Sequence, residues 1–374
     1  MCVATNPLSR AQVEKIFRSA KQNGFSLFRA TSIVYAFGEG DLDHHLSEAV
    51  LKRIDLLLDV AREQKIKVIL DFSTLTYETG RHSKPPFDIT APANFARLRP
   101  IYQRIPNRIN TLNRRRYKDD PTIFGYSILG EIVPFGLRFT PQKTLNLSDE
   151  SRDVDNYLSF IGAAAAELKR QDPNHLVNAG GLLHLSPDGP VKDKSGRPYW
   201  KTVWSDPNID FASAHIYPNI DKDLQNAALP LRPPYPWALP LGEWKNLPVY
   251  KAYADSISKP FIVEEWGLAL DRRFPDVVNG KPGPLAYAPQ FQLDYFRSAF
   301  SATIQSQIPI TILWQWHPGG SFDLYPGASA DEDAIIALVR RNASAFQVSA
   351  PESVPKTTRR LPVKFKSNSK PKPK

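Results

Sequence analysis

The chain has 374 residues, of which 42% are hydrophobic and 23% charged, a composition typical of a folded globular protein. Its single cysteine excludes an intrachain disulfide and a multi-thiolate metal site, and no run of about 18 apolar residues predicts a transmembrane helix. The formal net charge of +10 suggests anionic partners, yet residues 349–374 alone contain eight basic residues and one acidic residue.

Predicted helices and strands alternate along the rest of the chain. Ser9 and Gln12 form a capping box, and apolar residues at helical spacing follow it until Gly24. Further helices are predicted at residues 46–61, 104–117, 154–171 and 290–305. Short apolar runs predict strands that begin near Ser26, Val68, Ile123, Leu176, Ile209, Phe261 and Ile310. This alternation predicts a parallel sheet, and at this length it favours an α/β fold of the (β/α)8 TIM-barrel type.

The predicted barrel has seven strand candidates, one fewer than a closed barrel normally has. The absent strand should precede the helix that begins at Ser9, so we expect a barrel that lacks its first strand or is truncated there. We expect residues 1–348 to form this barrel and residues 349–374 to form a disordered basic tail rich in proline and lysine. The tail could contact polyanions, whereas we expect no specific nucleic-acid partner and no membrane span. Residues 1–10 contain no signal-peptide pattern.

Polar and aromatic side chains close most of the predicted strands. Because the active site of a parallel barrel lies at the C-terminal ends of its strands, these side chains are candidates for chemistry. They are Arg29, Asp71, Glu131, His215 with Tyr217, Glu265, and Trp314 or Trp316. Two carboxylates flanked by aromatic rings suit glycoside cleavage, in which one carboxyl group protonates the leaving oxygen and the other attacks the anomeric carbon or activates water. The sequence lacks phosphate-binding glycine loops, a Gly-x-Ser-x-Gly motif and paired-histidine metal motifs, so we expect no cofactor and no metal.

Five linked segments extend this interpretation to a family. They are Asn-Thr at 110–111 with Tyr-Lys-Asp-Asp-Pro-Thr-Ile at 117–123, Asp-Pro-Asn-His-Leu-Val at 172–177, Ile-Asp-Phe-Ala-Ser-Ala-His-Ile-Tyr-Pro at 209–218, Lys-Pro-Phe-Ile-Val-Glu-Glu-Trp-Gly at 259–267 and Leu-Trp-Gln-Trp at 313–316. With these segments in this order, residues 9–318 resemble glycoside hydrolase family 5, and most closely its plant- and fungal-type endo-β-1,4-mannanases.

The resemblance implies a retaining hydrolase that acts on β-1,4-linked polysaccharide, with mannan as the first substrate to test. It implies that Glu131 is the acid/base and Glu265 the nucleophile, with carboxyl groups about 5 to 5.5 Å apart. Glu264 is expected to point away, on the other face of its strand. The remaining implied substrate-binding residues are Arg29, which orients the nucleophile, His215, Tyr217, which hydrogen-bonds Glu265, and Trp314, beneath the cleaved sugar.

Two departures from the family pattern leave alternatives open. Gly130 precedes Glu131 where the family has an asparagine that hydrogen-bonds the sugar 2-hydroxyl, a contact that strengthens in the transition state. The first strand is also absent from the pattern, and if the N-terminus is truncated, the resemblance suggests a secreted protein. The main alternative is a catalytically inactive barrel that binds carbohydrate without cleaving it. A further alternative is a polyanion-binding protein that acts through its basic tail.

Overall fold

The fold is known from a computed structural model that describes eleven parts of the chain. They are residues 8–31, 33, 47–72, 92–129, 147–182, 192–216, 242–268, 277–278, 281–282, 289–317 and 324–347. The helices are α1 (Arg10–Gln22), α2 (Glu48–Glu63), α3 (Pro92–Asn107), α4 (Leu147–Gln171), α5 (Tyr199–Ser205), α6 (Leu247–Ser256), α7 (Pro289–Gln305) and α8 (Ala330–Gln347). The strands are β1 (Leu27–Ala30), β2 (Lys67–Asp71), β3 (Ile123–Ser127), β4 (Leu176–Asn178), β5 (Ala212–Ile216), β6 (Phe261–Trp266), β7 (Val277–Val278), β8 (Lys281–Pro282) and β9 (Thr311–Leu313).

Seven of these strands are parallel, and each corresponds to one of the seven predicted from sequence. They form one sheet in the order β1-β2-β3-β4 and another in the order β5-β6-β9. A parallel bridge between Leu182 and Ala214 joins the two sheets after β4. At the opposite seam, the ring of Phe25, just before β1, lies 4.9 Å from the ring of Trp316, just after β9. The described residues contain no eighth parallel strand between β9 and β1.

Helices cover the outside of the strands, as the alternation predicts. The start of α1 has the expected capping box, in which Ser9 and Gln12 bond each other's backbone amides. Strand β6 is buried at every residue, because its outer face packs against the helical layer while its inner face lines the barrel. None of the described helices is long and apolar enough to span a bilayer. The basic segment 349–374 lies outside the described residues.

The predicted helix at residues 104–117 is wrong over most of its length. Helix α3 ends early in this segment, and an antiparallel bridge between Ile109 and Arg116 forms a hairpin instead. The side-chain oxygen of Asn110 accepts a hydrogen bond from the amide of Leu112 at 2.8 Å. Such a local side-chain bond gives the backbone an alternative to helical hydrogen bonding, and this competition accounts for the early end of the helix.

Candidate active site

A buried cluster of polar side chains fills the C-terminal end of the barrel. Its members come from the last residues of six neighbouring strands, where the parallel topology brings distant sequence positions together. They are Arg29 of β1, Asp71 of β2, Ser127 of β3, Asn178 of β4, His215 of β5, and Glu264 and Glu265 of β6. Each of these residues is at least nine-tenths buried.

Arg29 lies at the centre of this cluster. One terminal nitrogen of its guanidinium pairs with Oε2 of Glu265, and the other lies 2.5 Å from Oδ2 of Asp71. The guanidinium Nε lies 3.5 Å from Oε1 of Glu264. The predicted contact between Arg29 and Glu265 is therefore present. Because Arg29 forms these ion pairs in three directions, carboxyl groups from two other strands, β2 and β6, hold its guanidinium in position.

Glu264 and Glu265 both face the barrel interior because β6 contains a bulge. Val263 pairs with Ala214 and Glu265 pairs with His215, so that Glu264 is an extra residue in the β5–β6 ladder. The register between β6 and β9 shifts at the same place. An extra residue interrupts the alternation of side chains between the two faces of a strand. The expectation that Glu264 points away from the site is therefore wrong.

Glu264 is held by two neutral donors as well as by Arg29. The hydroxyl of Ser127 donates a hydrogen bond to Oε1, and the amide of Asn178 donates one to Oε2 at 2.8 Å. The Asn178 amide also donates to Ser213 Oγ at 3.0 Å, and Ser213 donates in turn to the carbonyl of Gly180 at 3.0 Å. Glu264 is thus connected through hydrogen bonds to β3, β4 and β5, and its side chain is fully buried.

Burial and charge oppose each other within the cluster. Burial alone would lower the pKa of Arg29, but the negative charges of Asp71, Glu265 and Glu264 outweigh it and raise that pKa above its ordinary value. Burial raises the pKa of Asp71 from 3.8 to about 6, against the attraction of Arg29, which lowers it. One guanidinium thus faces three buried carboxyl groups, and the raised pKa of Asp71 lets that carboxyl take up a proton just below neutral pH.

His215 packs on the other side of Glu265. Its Nδ1 lies 3.8 Å from Oε2 of Glu265, the same oxygen that Arg29 contacts. Its imidazole lies directly against the backbone of Gly181, and a β-carbon at position 181 would overlap the ring atom Cδ2. Glycine at 181 is therefore required for the observed position of the imidazole.

The two tryptophans at the end of the last strand have different surroundings. Trp316 is buried against Phe25 and Tyr325, so it belongs to the core rather than to an open site. Trp314 is half-buried, and its amide donates a hydrogen bond to the carbonyl of Trp266 at 2.7 Å. Of the two tryptophans considered, Trp314 therefore keeps the exposure that a sugar-binding ring requires.

Three predicted features lie outside the described residues. They are the separation of Glu131 from Glu265, the contact of Tyr217 with Glu265, and the position of Gly130. The last described residue before Glu131 is Leu129, whose amide donates to the carbonyl of Ala179 at 3.0 Å. Among the described residues, no group of three or more His, Cys, Asp or Glu side chains could hold a metal ion.

Sequence reasoning did not assign roles to four members of the site: Ser127, Asn178, Gly181 and Glu264. The first two could have been found, since they are polar residues that end the strands beginning near Ile123 and Leu176. The orientation of Glu264 was predicted wrongly because the prediction assumed that side chains alternate strictly between the two faces of the strand, which a bulge interrupts.

Comparison with known proteins gives consistent matches. The family model "GH family 5 beta-mannosidase-like" matches residues 75–308, more than half of the chain. Mannan endo-1,4-beta-mannosidase 7 of Arabidopsis thaliana is 24% identical over 298 residues, which are 73% of this chain but only 63% of that protein. Mannan endo-1,4-beta-mannosidase 8 of Oryza sativa subsp. japonica is 22% identical over 358 residues, covering 86% of this chain and 85% of that protein.

Solved structures share the barrel fold. The endo-1,4-beta-mannanase from Rhizomucor miehei superposes with a TM-score of 0.62 at 18% identity, over 91% of this chain and 92% of that chain. The endo-beta-1,4-mannanase from Thermotoga petrophila gives a TM-score of 0.63 at 16% identity, over 91% of this chain and 74% of that chain.

Proposed function

Because the chain belongs to glycoside hydrolase family 5, we propose that it is a retaining glycoside hydrolase that cleaves β-1,4-linked, mannan-type polysaccharide. The observation that carries this proposal is the environment of Glu265. This carboxylate lies near the C-terminal end of a barrel strand, is bound by Arg29 and faces His215. A carboxylate held in this way is oriented and ionised, as a nucleophile must be.

In the proposed reaction, an oxygen of Glu265 attacks the anomeric carbon while Glu131 protonates the departing glycosidic oxygen. A covalent glycosyl-enzyme forms, and Glu131 then removes a proton from the water that hydrolyses it. The C-terminal ends of parallel strands lie at one end of a barrel, and Glu131 comes four residues after Ser127, the last residue of β3. This position supports the pairing of Glu131 with Glu265.

The buried polar surroundings supply the electrostatic part of the mechanism. The Arg29 guanidinium offsets the negative charge of Glu265 in the free enzyme and holds it in one orientation. Charge leaves Glu265 as the bond to the sugar forms, and the ion pair with Arg29 then weakens at the moment when the glycosyl group is held covalently. Mannan endo-1,4-beta-mannosidases are among the relatives of this chain, so mannan is the proposed substrate class.

The test is hydrolysis of β-1,4-mannan by the wild type, with Glu265→Ala and Glu131→Ala as comparisons. We expect each substitution to lower kcat on the order of 10³-fold or more, because each removes a group that bonds to the reacting atoms. NMR of the first-formed product should show the β-anomer for a retaining enzyme. Wild-type turnover no greater than that of Glu265→Ala on mannan, glucomannan and cellulose fragments would exclude the hydrolase.

The second candidate is a barrel that binds carbohydrate without cleaving it, and Gly130 is the observation that favours it. If the enzyme is active, restoring an amide with Gly130→Asn should raise kcat on mannan, because a hydrogen bond to the 2-hydroxyl strengthens in the transition state. Binding of mannan oligosaccharides by calorimetry, with no turnover by wild type or Gly130→Asn, would favour the binding protein instead.

A further inference from the structure

We propose that Glu264 is a positioning residue, which fixes the guanidinium of Arg29 and through it the carboxylate of Glu265. The proposal rests on the proposed function, since it assigns Glu264 a part in preparing the nucleophile. Neither Glu264 nor its neutral partners Ser127 and Asn178 would touch the substrate, because all three side chains are fully buried.

The first step of the argument is the geometry around Arg29. A guanidinium is a rigid plane, so contacts at three of its nitrogens determine both its position and its tilt. Nη1 pairs with Glu265 and Nη2 lies 2.5 Å from Asp71. Nε lies 3.5 Å from Oε1 of Glu264, an electrostatic contact without a hydrogen bond. Because Asp71 and Glu264 lie beside the other two nitrogens, only Nη1 remains to bind Glu265.

The second step is that Glu264 is itself rigidly supported. Its two oxygens accept hydrogen bonds from Ser127 and Asn178, on two different strands. Asn178 also bonds Ser213, which bonds a backbone carbonyl, so the support ends on the main chain. The bulge in β6 is what turns Glu264 toward these partners, and bulges commonly re-aim side chains beside active sites.

The third step is energetic and separates positioning from simple stabilisation. In the cluster, one guanidinium lies among three buried carboxyl groups. The negative charges of these carboxyl groups repel one another, and bulk solvent does not screen the repulsion. Replacing Glu264 by the isosteric glutamine removes one of these charges while keeping an acceptor oxygen. If Glu264 served stability alone, the loss of its pairing with Arg29 would lower the melting temperature. If it serves positioning, the fold gains or keeps stability while the reaction slows.

The experiment compares wild type with Glu264→Gln on mannan. We expect kcat to fall about 10- to 100-fold, as a small displacement of the nucleophile would produce, with KM within about twofold. The acid limb of the pH–rate profile should move to lower pH, because the neutral glutamine no longer repels the negative charge of Glu265 and the pKa of that carboxyl group falls. The melting temperature should equal or exceed that of the wild type.

Two further variants show whether Glu264 acts through Arg29. In an Arg29→Lys background, Glu264→Gln should cost little additional kcat, because a lysine has no planar guanidinium for Glu264 to orient. Glu167→Gln is the matched control, since Glu167 is also a buried glutamate bonded to arginines, Arg99 and Arg170, but lies on the outer helix α4. It should leave kcat and the pH profile unchanged.

Each outcome decides between the proposals. Full kcat and an unmoved acid limb in Glu264→Gln, with a wild type whose turnover depends on Glu265, would overturn the positioning role and leave the proposed function intact. Additive losses in the double variant would also overturn it. If Glu264→Gln does not fold, Ser127→Ala removes one of the supports of Glu264 and should show the same split between kcat and KM. A wild type without Glu265-dependent turnover overturns the proposed function and this role together.

Discussion

Arg29 shows how much one side chain can organise at the end of a barrel. It is 6% exposed and pairs with carboxyl groups from two strands, so its charge is compensated without contact with bulk solvent. An unpaired buried guanidinium would be strongly unfavourable, which makes Arg29 and its acidic partners interdependent. Replacement of any one of them alters the electrostatic balance of the whole cluster.

Gly181 provides a residue-scale prediction. In Gly181→Ala the new β-carbon would overlap the imidazole of His215 and displace it from Glu265. We expect kcat on mannan to fall about tenfold or more, since small displacements beside a reacting group are costly. The unfolding free energy should fall by about 1 to 3 kcal/mol, the usual cost of overpacking. Kinetics and urea denaturation measure the two effects.

The control for that prediction is Gly196→Ala, at a glycine whose position has open space around it. Its backbone has a positive φ of 78°, so the substitution costs some stability without touching the site. Unchanged kcat in Gly181→Ala would mean that His215 is not required in the position observed.

At the scale of elements, a single aspartate on α2 holds the hairpin that replaces the predicted helix. The carboxylate of Asp55 accepts hydrogen bonds from Arg108 at 2.6 and 2.9 Å, from Tyr117 at 2.7 Å and from Thr111 at 2.8 Å. Burial alone would raise the pKa of Asp55, but these donors, Arg108 first among them, lower it below its ordinary value. These hydrogen bonds attach the hairpin to α2, and the chain at these residues does not continue the helix α3.

Asp55→Ala should lower the unfolding free energy by about 3 to 5 kcal/mol, the cost of breaking a buried ion pair by removing one partner. Asp59→Ala, one turn further along α2, is the comparison. Asp59 pairs with Arg10 and Arg62, whose side chains are 41% and 43% exposed, so its loss should cost about 1 kcal/mol or less. Equal losses in urea denaturation would contradict the special role given to Asp55.

At the scale of the whole molecule, Asp71 links folding stability to pH. Its pKa in the folded protein is about 6, above its ordinary value of 3.8, so the folded state binds its proton more tightly than the unfolded state does. The stabilising contribution is therefore complete below about pH 4 and is lost as the pH rises through 6. The loss amounts to about 3 kcal/mol, at about 1.4 kcal/mol for each pKa unit.

Asp71→Asn removes this titration. Between about pH 4 and pH 7 we expect the unfolding free energy of the wild type to fall by about 3 kcal/mol relative to that of the variant. The difference between the two proteins at each pH is the quantity to measure, because other carboxyl groups, such as Asp55, have lowered pKa values and change stability in the opposite direction at lower pH. Parallel pH curves for the two proteins would show that Asp71 does not take up a proton on folding.

The sequence alone was sufficient to predict the seven parallel strands and four of the polar residues at their ends, Arg29, Asp71, His215 and Glu265. Short apolar runs followed by Arg29, His215 and Glu265 are local patterns, and parallel topology brings such ends together in any barrel. The orientation of Glu264 was decided only by the tertiary structure. It depends on a bulge in the pairing of β6 with strands β5 and β9, which are distant in sequence.

The same reason applies to Gly181 and to Asn178. The glycine matters because the imidazole of His215 occupies the space beside it, and the asparagine matters because β4 lies within reach of Glu264. Hydrophobic periodicity reports which residues are buried, since it follows from the geometry of a single strand or helix. It contains no information on the register between strands, and register determines which buried polar groups meet.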